Sequence, residues 1–240
     1  MKLFEKHNID IPMIALVAAN AIPLWGVLYL GWDVFYIVLL YWLENLVIGF
    51  YNVLKIAFAK APDMVGHVSK WFWHLGKLFL IPFFMVHYGG FMAVHGMFIL
   101  FLLKGPKGLE GGGPATGPAW PCFFVFLQML IGVVRHVYLI IPPQVKVTVL
   151  ALFVSHGISF VYHYLLGGEY ATAKPKDLMS GPYSRIVVMH ITILGGAFLL
   201  AVIRSPAALL IVLVLMKTIM DIKLHIRSHN PATAAADEQP

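Results

Sequence analysis

The sequence predicts an all-α protein, a polytopic transmembrane helical bundle, and three observations carry that prediction. Of 240 residues, 60% are hydrophobic and only 12% are charged, against roughly half and a quarter in a soluble domain. Apolar runs of about 20 residues, the length that crosses a bilayer, recur along the whole chain. Lys and Arg gather at the ends of those runs, where lipid headgroups lie. The formal net charge of +6 therefore suits a membrane surface, and nucleic acid is excluded as a partner.

The runs fall at 11–30, 33–59, 78–103, 119–141, 146–166, 185–203 and 206–227, about seven spans with six as the alternative count. The first has no A-x-A-like site behind it, so it reads as a retained span and not as a cleavable signal. A short turn near Gly31 and Asp33 joins it to the second, and Arg204-Ser205-Pro206 joins the last two, with proline suited to a helix start. Residues 62–76 mix Lys70, Trp71, Trp73 and His74 with apolar residues, the composition of an interfacial helix. Segment 104–118 is rich in Gly and Pro and is predicted to be a loop. A single helical domain over 1–229 is followed by a small, polar, disordered tail at 230–240.

Cys122 is the sole cysteine, which excludes an internal disulfide and metal sites built on paired thiolates. Lys2, Lys6, Lys55, Lys60, Lys70 and Lys77 turn the N-terminus and the second connection to the cytoplasm, while Lys104, Lys107, Lys174, Lys176 and Arg185 weigh against that orientation. No internal repeat is visible, so a transporter made of two related halves has no direct support.

Ionisable residues inside spans are costly and usually functional. Here they are Glu44, His87, His95, His156, His163, His190, Lys217, Asp221 and His225. With strict alternation of helix direction and 1.5 Å of rise per residue, Glu44, His87, His156 and Lys217 fall into a middle layer at roughly 13–22 Å from one face. His95, His163, His190, Asp221 and His225 fall into a second layer at roughly 22–28 Å. Lys217, Asp221, His225 and His229 recur every four residues and share one helical stripe, and Lys217 with Asp221 is predicted to form a structural ion pair. His67, His74, His136 and His229 are expected to be interfacial.

Imidazoles and carboxylates at one depth are suitable ligands for a divalent transition metal, zinc or iron first and copper or manganese next. The predicted ligands are His87, His95, His156, His190, Asp221 and His225. Glu44 and Glu169 are candidates to bridge metals, to act as general base on a metal-bound water, or to orient a ligand histidine, and Arg185, behind Gly181-Pro182-Tyr183, is a candidate receptor for an anionic headgroup or substrate. Haem is the alternative cofactor, with His87 and His156 as axial ligands. The competing explanation for any one histidine is a hydrogen bond between helices. Gly89-Gly90, Gly167-Gly168 and Gly195-Gly196 are expected to allow close packing.

The runs LYWLENLVIGFYNVLK, HYGGFMAVHGMF, SHGISF with GGEY, PYSRIVVMH and LKTIMDIKLH resemble a family of bacterial multi-pass membrane proteins known only as a domain of unknown function (6498). The resemblance covers most of the chain, implies residence in the bacterial cytoplasmic membrane, and carries no activity. It points to Glu44, His87, His95, His156, Glu169, Tyr183, Arg185, His190, Lys217, Asp221 and His225. A looser similarity, by analogy only, is to the seven-helix zinc hydrolases of the alkaline ceramidase and adiponectin receptor type, of whose pattern Ser159 with His163 and His225 with His229 reproduce fragments.

The functional expectation is a membrane-embedded metalloenzyme, a hydrolase or oxidoreductase acting on a lipid or other apolar substrate, with membrane lipids as partners and a homo-oligomer open. The alternatives are a haem-binding electron-transfer protein, an ion or metal transporter with the two layers as successive binding points, and a non-catalytic scaffold.

Overall fold

The computed structural model describes residues 22–60, 70–109, 118–173, 175–203 and 207–229. Its helices are α1 over 22–30, α2 (Val34–Phe58), α3 (Lys70–Lys104), α4 (Phe124–Ile140), α5 (Pro143–Ser159), α6 (Pro175–Ser180), α7 (Tyr183–Ile203) and α8 (Ala207–His229). A π-helical stretch, Phe160–Leu166, prolongs α5, and short 3₁₀ turns occupy Pro106–Leu109 and Glu169–Ala171. No strand occurs among the described residues. Val34–Phe58, Leu75–Lys104 and Pro143–Leu166 are each long and apolar enough to cross a membrane. Packing divides the chain into two compact units, residues 35–190 and the combination of 1–34 with 191–240. The helix pairings that follow all lie in the first.

Most boundaries follow local chemistry. Pro142, extended at φ −70° and ψ 160°, stops α4 and sets Pro143 as the first residue of α5, because proline lacks the N–H that an interior turn needs. At the other end of α5 the Gly167 N–H bonds the Tyr162 carbonyl five residues back, the π-helical pattern. Gly168, left-handed at φ 79°, then ends the helix where a Cβ would be strained. The expected interfacial helix over 62–76 is corrected: Lys70–Gly76 are the first turns of α3, since nothing in that stretch breaks the helix, and 61–69 lie outside the described residues.

Side-chain contacts fix helix directions. Trp42 donates its indole N–H to the Met92 carbonyl at 2.8 Å, Tyr88 donates to the Asn45 carbonyl at 2.9 Å, and Lys77 Nζ donates to the carbonyls of Ala57 and Ala59. Rising numbers on α2 meet falling numbers on α3, so the two are antiparallel. Trp42 is fully buried, where an unpaired indole N–H would cost several kcal/mol. Its ring sits over Gly96, at which a Cβ would come within 2.6 Å of Trp42 and 2.9 Å of Val133.

The expected alternation of direction fails at α4. Phe126 packs on Gly90, Val133 on Gly96, and His136 Nε2 donates to the Gly108 carbonyl at 2.8 Å. Both numberings rise together, so α4 runs parallel to α3. Its first turn lies level with Gly90, 14 residues before Lys104, or about 21 Å back along α3. The chain therefore doubles back between the two helices. Gln128, buried, holds the return: its Oε1 accepts from the Trp120 N–H and its Nε2 donates to the Pro118 carbonyl, both at 2.9 Å. His136, expected at an interface, is buried and ties the Pro106–Leu109 turn to α4.

With α4 parallel to α3, α5 returns antiparallel to both and parallel to α2. Glu44 meets His156, Tyr164 donates to the Lys55 carbonyl at 2.7 Å, and the Lys60 N–H bonds the Tyr170 carbonyl at 2.8 Å. The chain then climbs beside α2 through α6, where Asn52 donates to the Leu178 carbonyl at 2.8 Å. After Gly181-Pro182 it starts α7 at the level of Glu44. Along α3, α7 runs parallel, with Tyr183 beside His87 and His190 beside His95.

Candidate functional site

Glu44 lies ten residues from Val34 and fourteen from Phe58, about 15 Å and 21 Å from the two ends of α2. It sits at mid-helix between two basic side chains. Arg185 Nη1 stands 3.4 Å from Glu44 Oε1, and His156 Nε2 stands 3.9 Å from the same oxygen. The Arg185 position follows from the Gly181-Pro182 break. That break opens a fresh helix at this depth, so the third residue of α7 can reach a carboxylate at the centre of α2. Tyr51, two turns along α2 from Glu44, stacks its ring at 29° to His156 and donates to the Phe153 carbonyl at 3.0 Å. Gly157 permits this, because a Cβ there would stand 2.6 Å from the Tyr51 oxygen.

A second polar contact adjoins the first. The Tyr183 hydroxyl and His87 Nδ1 are 2.6 Å apart, and Phe84 and Tyr88 meet the Tyr183 ring edge to face. Beneath them Asn45, fully buried, donates to the Tyr41 carbonyl at 2.7 Å. Its Oδ1 has no hydrogen-bond partner among the described residues.

The third contact lies one step further along the parallel pair. His190 is seven residues beyond Tyr183 and His95 eight beyond His87, an axial step of about 11–12 Å. His95 Nδ1 is 2.6 Å from the Phe91 carbonyl, and a carbonyl accepts only, so Nδ1 carries the proton and Nε2 is left with a lone pair. That Nε2 is 3.3 Å from His190 Nδ1. His95 is buried and His190 exposed, so the pair has one anchored and one open member.

The structure thus brings Glu44, Arg185 and His156 together, pairs His87 with Tyr183, and pairs His95 with His190. The two expected ligands of a haem, His87 and His156, have different partners. His163 is exposed in the π-helical stretch and lies on the opposite side of Glu44 from His95, because α5 runs against α3. Its expected place in a layer with His95 is corrected accordingly. Ser159 is likewise exposed. Glu169 is exposed in its 3₁₀ turn beside Tyr170, roughly 20 Å from Glu44 along α2. Lys217 is half-buried on α8, within the other unit. The side chains of Asp221 and His225 lie outside the described residues, as does the expected pair of Lys217 with Asp221. Among the described residues, no group of three or more His, Cys, Asp or Glu is placed to hold a metal ion.

Tyr51, Asn45, Tyr88 and Gln128 join the site or its frame without having been singled out from sequence. Only Tyr51 left a usable signal there, its spacing of seven from Glu44, which puts both on one face of α2.

The fold and the site define an all-helical protein with membrane-length apolar helices and a cluster of charged and titratable side chains at their centre. The chain belongs to the family of unknown function DUF6498, whose model matches residues 2–238. No curated protein and no solved structure matches it.

Proposed function

We propose that this is a proton-translocating membrane protein, set by its resemblance in the bacterial cytoplasmic membrane, with Glu44, Arg185 and His156 as its mid-depth station. One observation carries the reading: titratable side chains stand at successive depths along the bundle, from His87 and Tyr183 through Glu44, Arg185 and His156 to His95 and His190. Glutamate, histidine and tyrosine all accept and release protons, and chains of such groups within spans are the hallmark of proton relays. The two histidine pairs are about 12 Å apart along the helices, with Glu44 between them, and water would complete the relay. The α6–α7 break at mid-depth is the arrangement that secondary transporters use for their central sites.

The distances weigh against a single hydrolytic metal centre. Glu44 stands about 7 Å from the His95–His190 pair along the helix axis and is held by Arg185, and Glu169 stands at the far end of α2, so neither carboxylate is placed as a base for water held by those histidines. Arg185 is neutralised by Glu44, which removes it as a ready receptor for a lipid headgroup.

The test is proton flux into liposomes carrying the purified protein, followed with a trapped pH-sensitive dye after an imposed potential. Glu44→Gln is expected to abolish flux, while His163→Gln and Glu169→Gln leave it unchanged. Undiminished flux in folded Glu44→Gln protein would sink the reading.

A further inference from the structure

The geometry points to a zinc-binding site at His95 and His190, with two coordination positions left to water or an incoming ligand. Two imidazole nitrogens bound to one zinc at about 2.0–2.1 Å and separated by 3.3 Å subtend about 105–110° at the metal, the tetrahedral angle. Square-planar or octahedral neighbours at the same bond length would stand nearer 2.9 Å apart. The observed separation is also long for a hydrogen bond.

The surroundings favour a ligand over a simple pairing of helices. The His95 Nδ1–H bond to the Phe91 carbonyl, at 2.6 Å, fixes both tautomer and ring orientation, which is how metal-binding histidines are held by their neighbours. It aims the Nε2 lone pair at His190. The rings meet at 62°, so the two nitrogens approach each other without the rings stacking. His95 is buried in the packed interior while His190 is exposed, so one member of the pair lies at the protein surface. Imidazole nitrogens suit zinc, and the pair supplies two protein ligands where open zinc sites ordinarily have three, so water or an incoming ligand would fill the other positions. This inference goes beyond the proton-path reading and stands without it, because it concerns binding and not flux.

The test uses the full-length protein in detergent, without a polyhistidine tag, stripped with chelator and titrated with Co²⁺ as a visible probe. One equivalent is expected to give the strong ligand-field bands of tetrahedral cobalt and to be displaced by Zn²⁺. His190→Gln, on the exposed member, is expected to lose the bands with its helical circular dichroism intact, and His95→Gln to lose them as well. His163→Gln and His156→Gln should keep them. A pale octahedral spectrum, or bands that survive in a folded His190→Gln protein, would overturn the assignment. Loss of flux in Glu44→Gln with the cobalt bands intact would support both readings separately.

Discussion

The Glu44–Arg185 contact supports a quantitative prediction. At 3.4 Å and an effective dielectric constant of about 20, two unit charges attract by about 5 kcal/mol. Three features reduce the net value. The distance exceeds the 2.7–2.9 Å or so of a strong charge-assisted bond, the side chains keep 26% and 21% of their exposure, and both ions have left water to reach mid-helix. A coupling of about 1–2 kcal/mol remains, above the typical exposed pair. Arg185→Gln strands the Glu44 carboxylate with His156 alone at 3.9 Å, and Glu44→Gln strands the guanidinium. Each single change is expected to cost about 2–3 kcal/mol, and the double change less than their sum by about 1–2 kcal/mol. Equilibrium unfolding in mixed micelles, read by tryptophan fluorescence, measures all four proteins. Additivity within about 0.5 kcal/mol would show that the two charges do not sense each other and would refute the reasoning.

Two further predictions concern packing and the doubled-back segment. Gly96→Ala places a methyl 2.6 Å from an indole that cannot retreat without losing its bond to Met92, so about 1–3 kcal/mol of overpacking exceeds the roughly 1 kcal/mol gained in helix propensity, whereas Gly76→Ala, with open space around it, gains stability; thermal unfolding in detergent separates the two. Cys122 lies beside the start of α4, level with mid-α3, in exposed non-helical backbone at φ 51°, a geometry tolerated at membrane depth only inside protein or beside water. A charged, membrane-impermeant thiol reagent is therefore expected to label it in intact vesicles. Labelling only after detergent is added would count against an aqueous pocket there.

Hydropathy located the long helices well, because an apolar run about 20 residues long has few other fates. Val34–Phe58, Pro143–Leu166 and Tyr183–Ile203 match their expected limits closely. Direction was not legible. Strict alternation assumes that every apolar run crosses, and Phe124–Ile140 does not run against its predecessor. Nothing in its composition says so, since Gln128 and His136 look like ordinary polar residues until their carbonyl partners at Pro118 and Gly108 are known. His95 and His190 were expected at one depth and do meet, yet through parallel helices. His163, placed by the same rule, falls on the wrong side of the centre. Tyr183 acquires its role from the Gly181-Pro182 break, whose depth depends on the whole path from Gly167 onwards.

The doubled-back stretch between α3 and α4 also changes the charge balance between the two ends of the bundle. Counted as a crossing, it would send the Gly167–Pro182 connection to the end where α2 begins. It makes no net crossing, so that connection returns to the end holding Lys55 over the Tyr164 ring, Lys60 over the Tyr170 ring and Lys77 on the last carbonyls of α2. Lys176 in α6 then lies towards that same end, while Lys104 and Lys146, on aromatic rings, share the opposite end with Lys107 and Arg135. Basic side chains therefore stand at both ends, with Lys55, Lys60 and Lys77 at one, and the His95–His190 pair lies nearer the other, which holds Lys104.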